Sequence, residues 1–318
     1  MKIGVIGFGS IGRRHCENLL KLGFSDITLL RTQSKGNELR LDEVFSEDEF
    51  LSIPFDFIIL SNPTSLHFRY LEKLIAKQFN ILVEKPIVSK IEESRSLKKM
   101  LQNYKALGMC AYNLRHHPCV RKVTELLRTS SLGKIYSARF FVGQYLPDWR
   151  PQSDYRESYS ASSALGGGVV LDLIHEIDLA AFLCGNVKSN FHAMVGKLSS
   201  LEIETEDIAE IHYQSEYETM ISIHLDYLTR GYSRYFELIC ENGKILCDLF
   251  GAEVKIIGDK NIITDVFTFK EFNRNDMYLS LIEYYFGCIK SQTQPKPNLT
   301  DGLSSLNTAL TTKSFWKK

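Results

Sequence analysis

A cluster of glycines close to the start of the chain limits its fold more than any other stretch. Residues 3–6 read as a short buried strand. Gly7-Phe8-Gly9-Ser10-Ile11-Gly12 follows at once, and a helical segment with Cys16, Leu19 and Leu20 on one side stops at Gly23. Between a strand and a helix, each glycine of this spacing has a physical task. Gly7 permits the tight turn, Gly9 lets a pyrophosphate approach the backbone, and Gly12 lets the helix press on the strand. The helix N-terminus then faces the anion with its N–H groups and its dipole. The segment, with Phe8, Ser10 and Ile11 between the glycines, is predicted to bind a dinucleotide.

The alternation of strand and helix continues. Residues 27–30 form a second strand ending at Arg31, where a preference for NAD would usually place an Asp or Glu against the ribose hydroxyls. Arg31, with Thr32, Ser34 and Lys35, instead supplies cations and hydroxyls suited to a 2′-phosphate, so NADP(H) is the favoured cofactor. NAD(H) stays possible if Arg31 stacks on the adenine. Residues 55–60 form a buried strand ending in Ser61-Asn62-Pro63-Thr64, followed by a helix with Leu66, Tyr70, Leu71 and Leu74 at helical spacing. Ile81-Leu82-Val83 is the next strand, closed by Glu84-Lys85-Pro86. Ser89 and Glu92 then read as a capping box opening a helix toward Tyr104. A last strand within 107–112 leads to Asn113-Leu114-Arg115-His116-His117-Pro118. Such units imply a doubly wound parallel sheet over residues 1–117. Ligands of such sheets sit outside the carboxyl ends of the strands, and Lys85 is delivered to that rim. A lysine there is either solvated decoration or a working group.

After Pro118 the pattern changes, and residues 118–318 read as a second, α+β domain. A helix over 120–128 precedes a long strand over 135–142. The polar, aromatic stretch 144–156 is too rich in Pro and charge for a core element and reads as a functional loop. Its Trp149, Arg150, Tyr155 and Arg156 could stack on and clamp a substrate. Gly166-Gly167-Gly168 is predicted to open one helix reaching Cys184, with Asp172 and His175 three apart on a shared face. A histidine titrating near pH 6.5 suits proton exchange with an alcohol or carbonyl. Strands over 207–213, 219–228, 235–240 and 244–249 predict an antiparallel sheet, in which His212 and His224 are structural. Two helices, 277–289 and 302–315, end the chain.

Composition narrows the class. The 318 residues exceed one ordinary core, which favours two domains. Lys+Arg and Asp+Glu are equal at 38 each, leaving no basic footprint for nucleic acid and no field for an anionic membrane. The seven cysteines are scattered, without a C-x-x-C pair, and read as reduced packing residues; no metal site is expected. Met1-Lys2 leads directly into a strand, and no apolar window is long enough for a membrane helix, so a soluble, cytoplasmic protein is expected.

Taken together, Gly7-Phe8-Gly9-Ser10-Ile11-Gly12 with His15, Ser61-Asn62-Pro63-Thr64 with His67, Glu84-Lys85-Pro86, and Tyr112-Asn113-Leu114-Arg115 resemble the glucose-fructose oxidoreductase / inositol dehydrogenase (Gfo/Idh/MocA) family. The resemblance implies an N-terminal Rossmann domain and a C-terminal α+β domain whose open, mostly antiparallel sheet joins subunits into a homodimer or homotetramer. It implies hydride transfer between nicotinamide and a hydroxyl or keto carbon of a sugar, a nucleotide-linked sugar or a cyclitol. The glycine motif, Ser61, Asn62, Pro63, His67, Glu84, Lys85 and Asn113 would hold the cofactor, and Arg115 would meet the substrate. Lys85 would hydrogen-bond the reacting oxygen, His175 would exchange its proton, and Asp172 would hold His175 or a substrate hydroxyl. In the family the second segment usually places the His four residues after the Asp; here the separation is three. The rival reading is a sensor of the same fold that binds the dinucleotide without chemistry, against which the presence of Lys85, Asp172 and His175 argues.

Overall fold

The computed structural model describes residues 1–33, 36–129 and 132–316. The chain forms two compact units, Met1–Asn113 with Asn275–Leu306, and Leu114–Arg274 with Asn307–Lys318.

The first unit is built on six parallel strands, β1 (Ile3–Ile6), β2 (Ile27–Leu30), β3 (Asp42–Val44), β4 (Phe57–Leu60), β5 (Ile81–Val83) and β6 (Gly108–Cys110), in the order 3-2-1-4-5-6. Helices α1 (Ser10–Lys21), α2 (Glu47–Ser52), α3 (His67–Ala76) and α4 (Ile91–Met100) connect them. Strands β1, β2, β4 and β5 are buried along their whole length, which is why each reads as an unbroken apolar run. Edge strand β3 is short and partly exposed, and its Asp-Glu-Val carries no such signature. The capping box expected at Ser89 does not form. Lys90 is the N-cap of α4 without a side-chain cap, and the Ser89 N–H donates to Glu93 Oε2 at 3.4 Å.

The second unit holds α5 (Pro118–Arg128), β7 (Ile135–Gly143), α6 (Val169–Asp172), α7 (His175–Cys184) and seven further strands. These are β8 (Val187–Gly196), β9 (Ile208–Ser215), β10 (Met220–Asp226), β11 (Ser233–Cys240), β12 (Gly243–Asp248), β13 (Glu253–Ile257) and β14 (Ile263–Thr268). Their order is 14-13-12-11-7-10-9-8, antiparallel throughout except that β7 and β10 run parallel. One face buries Ala138, Phe140 and Val142 of β7 beside Ile221, Ile223 and Leu225 of β10 and Phe236 and Leu238 of β11. The opposite face is open. Across it Met194, Glu210, His224, Phe141 and Tyr235 stand in register on five adjacent strands. The Phe141 ring stacks on His224 at 4.6 Å and on Tyr235 at 5.0 Å.

The chain then returns to the first unit. Helix α8 (Asp276–Ser291) places Leu281, Ile282, Tyr285 and Ile289 in the core formed by Ile3, Val5, Leu29, Phe57 and Ile59. The Tyr285 ring meets Phe57 edge-on at 5.6 Å, and its hydroxyl donates to the Leu107 carbonyl at 2.8 Å. Helix α9 (Leu299–Lys313) begins there too, where a side chain at Gly108 would collide with Leu299 Cδ1 at 2.5 Å. The expected second domain, 118–318, therefore lacks 275–306. Burying a Leu or Ile is worth about 1.5–3 kcal/mol each, and four such apolar side chains of α8 complete the parallel sheet's core. All seven cysteines are free and buried. Among the described residues no helix is long and apolar enough to cross a membrane.

Candidate active site

The glycine turn follows β1 at the carboxyl edge of the parallel sheet. Gly7 has φ +95°, and a side chain there would meet the Asn62 backbone nitrogen at 2.4 Å, so both conformation and space demand glycine. A side chain at Gly12 would meet the Gly7 carbonyl at 2.0 Å, and Ser61 Oγ donates to that carbonyl at 2.9 Å. Gly9 differs: nothing lies within 4 Å of where its side chain would be. It is the N-cap of α1 and offers no capping side chain, which leaves the first-turn N–H groups facing that open space. Beside the turn, both polar atoms of the Asn62 side chain, and Oδ1 of Asn113, are buried without a partner among the described residues. Buried orphans of this kind call for a ligand's polar groups. The residues present fit a dinucleotide.

At the ribose corner, Arg31 carries a companion that the sequence did not reveal. Its Nη1 donates to Glu43 Oε1 at 2.8 Å and to the Gly36 carbonyl at 3.2 Å, and its guanidinium lies 5.3 Å from the Phe8 ring centroid. Asn37 Nδ2 also donates to Glu43 Oε1, at 3.0 Å. Thr32 is exposed. Ser34 and Lys35, expected to add to a phosphate site, lie outside the described residues.

Lys85 follows β5 at the same edge of the sheet as the glycine turn, and two buried side chains fix its backbone. Glu84 presents Oε1 to His15 Nε2 at 2.7 Å and accepts the Lys85 N–H on Oε2 at 3.2 Å. His67 is fully enclosed. Its Nε2 lies 2.9 Å from the Asn62 carbonyl, and its Nδ1 lies 3.1 and 3.2 Å from the carbonyls of Pro86 and Ile87. Burial drives its pKa below the ordinary value, against the pull of the carbonyls around it. Glu84 and His67, expected to touch the cofactor, are thus engaged in tying the Asn62 turn, α1 and the Lys85 turn together. Pro63 is exposed beside them.

In the second unit the segment after Gly166-Gly167-Gly168 is not one helix. Helix α6 ends at Asp172, Leu173 leaves helical geometry at φ −99°, ψ 25°, and His175 is the first residue of α7. Asp172 and His175 therefore do not share a helical face. The cause is two buried carboxylates with different anchors. Asp172 Oδ2 accepts from Ser160 Oγ at 2.5 Å and from the Tyr227 hydroxyl at 2.7 Å. Glu176 takes a two-pronged hydrogen bond from Arg234, at 2.6 and 2.8 Å. Each anchor holds its own helix, and the backbone between them yields. Gly168, at φ +112°, abuts buried Glu206, whose Oε1 is 3.1 Å from Lys313 Nζ; that ammonium also donates to the Gly167 carbonyl at 2.9 Å. Asp172 and His175 are buried, at 9 and 8 % exposure.

The arginines proposed for substrate are differently placed. Arg115 donates through Nε and Nη2 to Asp178, both at 2.7 Å, and lies over Phe182, so this edge of the fork orients α7. Arg156 is exposed and bound by Asp154 and Glu202. Tyr155 accepts the Glu202 N–H on its hydroxyl at 3.2 Å. Arg150 is exposed. Trp149 donates from Nε1 to the Gln144 carbonyl at 3.1 Å and meets Tyr227 edge-on at 5.2 Å, which brings the loop against the Asp172 anchor. Tyr227, Ser160 and the Arg234–Glu176 pair were not legible as site residues, since each acts through a partner many residues away. Among the described residues no three His, Cys, Asp or Glu side chains are grouped to hold a metal ion.

Both parts of the chain match known protein families. Residues 1–112 match the model of an oxidoreductase family with an NAD-binding Rossmann fold, and residues 120–246 match that of the GFO/IDH/MocA C-terminal domain. Glucose-6-phosphate 3-dehydrogenase of Bacillus subtilis is 21% identical over 232 residues, spanning 70% of this chain and 66% of that protein. Myo-inositol 2-dehydrogenase of Thermotoga maritima is 22% identical, spanning 96% of this chain and 93% of the relative. A levoglucosan dehydrogenase solved with NADH and levoglucosan superposes with a TM-score of 0.86 at 15% identity, covering 99% of this chain and 97% of that one. At that identity the last likeness concerns the fold.

Proposed function

The chain belongs to the GFO/IDH/MocA family of NAD-binding oxidoreductases, and from that premise we propose that it is an NAD(P)-dependent dehydrogenase or reductase. Its substrate would be a CH–OH or keto carbon of a sugar, a nucleotide-linked sugar or a cyclitol. The observation that carries this reading is the Lys85 turn, locked by His67 and Glu84 at the same sheet edge as the open Gly9 cradle.

The roles follow from residue chemistry. Bound nicotinamide supplies or accepts the hydride. The Lys85 ammonium hydrogen-bonds the reacting oxygen and lowers the cost of its alkoxide character. His175 exchanges the proton with that oxygen. Asp172, fixed by Tyr227 and Ser160, orients His175 or a substrate hydroxyl. NADP(H) is the favoured dinucleotide. Among the described residues only Nη1 of Arg31 is engaged, which leaves Nε and Nη2 for a 2′-phosphate. Glu43 opposes that charge and holds the expected preference to about tenfold, or roughly 1.4 kcal/mol. The open sheet face, with Met194 77 % and Tyr235 45 % exposed, would join subunits into a dimer or tetramer.

A panel of hexoses, inositols and nucleotide sugars, each with NADP+ and NAD+, followed at the reduced-nicotinamide band, tests the reading. Turnover with one class supports it. Dinucleotide binding without turnover on any of them would replace the enzyme with a sensor.

A further inference from the structure

A second candidate binding feature lies in the Leu114–Arg274 unit, on the stretches that flank Tyr227. A cavity of about 290 Å³ is lined by Tyr145, Leu198, Ser199, Ser200, Leu228 and Arg230. The Arg230 guanidinium lies face-on against Tyr145, its carbon 3.4 Å from the ring centroid. It makes no ion pair among the described residues, whereas Arg31, Arg115, Arg156 and Arg234 each face a carboxylate.

Both walls of the cavity are fixed from behind. Asp226 accepts the N–H groups of Leu228 and Thr229 at 2.7 and 2.6 Å and the Thr229 hydroxyl at 2.7 Å, which sets the turn that presents Arg230. The Thr229 carbonyl accepts the Tyr145 N–H at 2.7 Å, so the stacking partner is held by the same turn. Opposite, Asp207 accepts the N–H groups of Leu198 and Ser199 at 2.8 and 2.9 Å and the Ser199 hydroxyl at 2.6 Å. The Tyr227 N–H donates to the Asp207 carbonyl at 2.9 Å and joins the two walls. Asp207 thus serves N–H and hydroxyl donors of its own turn, Asp226 serves its turn and His224, and Arg230 is the one charged side chain among the described residues that line the space.

We propose that Arg230 and the Ser199-Ser200 wall form a subsite for a phosphate group carried by the substrate. A guanidinium held over an aromatic ring is restrained in place while its N–H donors stay open to a two-pronged bond to an oxyanion. The Ser200 hydroxyl suits a further oxygen that a phosphate has and a carboxylate lacks, while Ser199, its proton given to Asp207, shapes the wall. The volume is that of a substituent, below the 300–1,000 Å³ or so of a whole ligand pocket. The wall also runs straight into the site: Tyr227, the neighbour of Leu228, donates to Asp172. The inference rests on the dehydrogenase reading for its catalytic consequence and narrows the substrate to a sugar phosphate or a nucleoside-diphosphate sugar.

The test compares wild type with Arg230→Gln on a hexose monophosphate, a nucleoside-diphosphate hexose and the neutral hexose. Loss of a charged fork should raise KM for the phosphorylated substrate at least about tenfold with kcat within about twofold, leaving the neutral hexose unchanged. Which phosphorylated substrate shows the loss identifies the source of the phosphate. An unchanged KM for both would overturn the proposal. A parallel titration with inorganic phosphate, on protein saturated with reduced dinucleotide so that the cofactor's own anion site is filled, separates the two readings. If no sugar is turned over, the dehydrogenase reading fails, while phosphate binding weakened about tenfold by Arg230→Gln still supports the subsite. Equal phosphate binding by the two proteins would sink it.

Discussion

Replacing Tyr227 by Phe removes one oxygen from the Asp172 anchor and leaves the ring that Trp149 packs against. The lost bond is short, 2.7 Å, and runs between two buried groups, one a carboxylate. A hydrogen bond to a charged partner is worth about 1.5–3 kcal/mol, and the Ser160 bond to Oδ2 remains. Urea unfolding should show the variant less stable by about that amount. Turnover should fall about tenfold or more, through an Asp172 free to leave its position. Burial first, and the neighbouring Asp172 charge second, keep the Tyr227 pKa well above 10, so the phenol stays protonated in the folded protein. The stability penalty should therefore be flat from pH 6 to 9. It should shrink above pH 10, where the unfolded wild type gains by ionising its tyrosine and the variant does not. A variant as stable as wild type within about 0.3 kcal/mol, or a penalty that grows above pH 10, would refute the reasoning.

Three further outcomes are expected. Gly7→Ala should destabilise the fold by about 2 kcal/mol or more, through its positive φ and the clash with Asn62, whereas Gly9→Ala should fold normally and lose about tenfold in dinucleotide affinity; calorimetric titration beside urea unfolding separates the two. His224 is partly buried, which lowers its pKa, but hydrogen bonds to Asp226 and Glu210 outweigh this and lift it to about 9. Its stabilisation, on the order of 2–3 kcal/mol, is complete below pH 6.5 and disappears as the pH rises through 9; unfolding curves at pH 6.5 and 9.5 should show this loss in wild type and not in His224→Gln. Light scattering should return the mass of a dimer or tetramer, and Met194→Asp on the open sheet face should shift it toward the monomer.

Parts of this structure stand plainly in the sequence and parts cannot. The central strands of the parallel sheet are readable because burial on both faces leaves apolar runs such as Phe57–Leu60. Strands β8, β13 and β14 escape notice because they carry Lys188, Asn190, Lys255 and Asp265 on exposed or half-exposed positions and owe their state to neighbouring strands. The break between Asp172 and His175 depends on Tyr227 and Arg234, more than fifty residues downstream, whereas local periodicity favours a continuous helix. The arginines show the same limit. Arg31 and Arg115 stand in the sequence as available cations, and in the fold each meets a carboxylate that tertiary structure brings to it, while Arg156 is held both by Asp154 two residues before it and by the distant Glu202. Arg230 meets none among the described residues, and an exposed arginine in the turn after β10 has nothing local to distinguish it in the sequence.

In the proposed mechanism Lys85 and His175 perform proton chemistry at an oxygen, while the glycine turn and Asn62 carry most of the hold on the dinucleotide. Rapid mixing of Lys85→Met and His175→Ala with cofactor and the preferred sugar tests it most directly, with dinucleotide affinity measured on the same samples. Affinities should stay within about threefold of wild type, with hydride transfer slowed by about 10²–10⁴ in each variant. Near-normal transfer in both variants would contradict it.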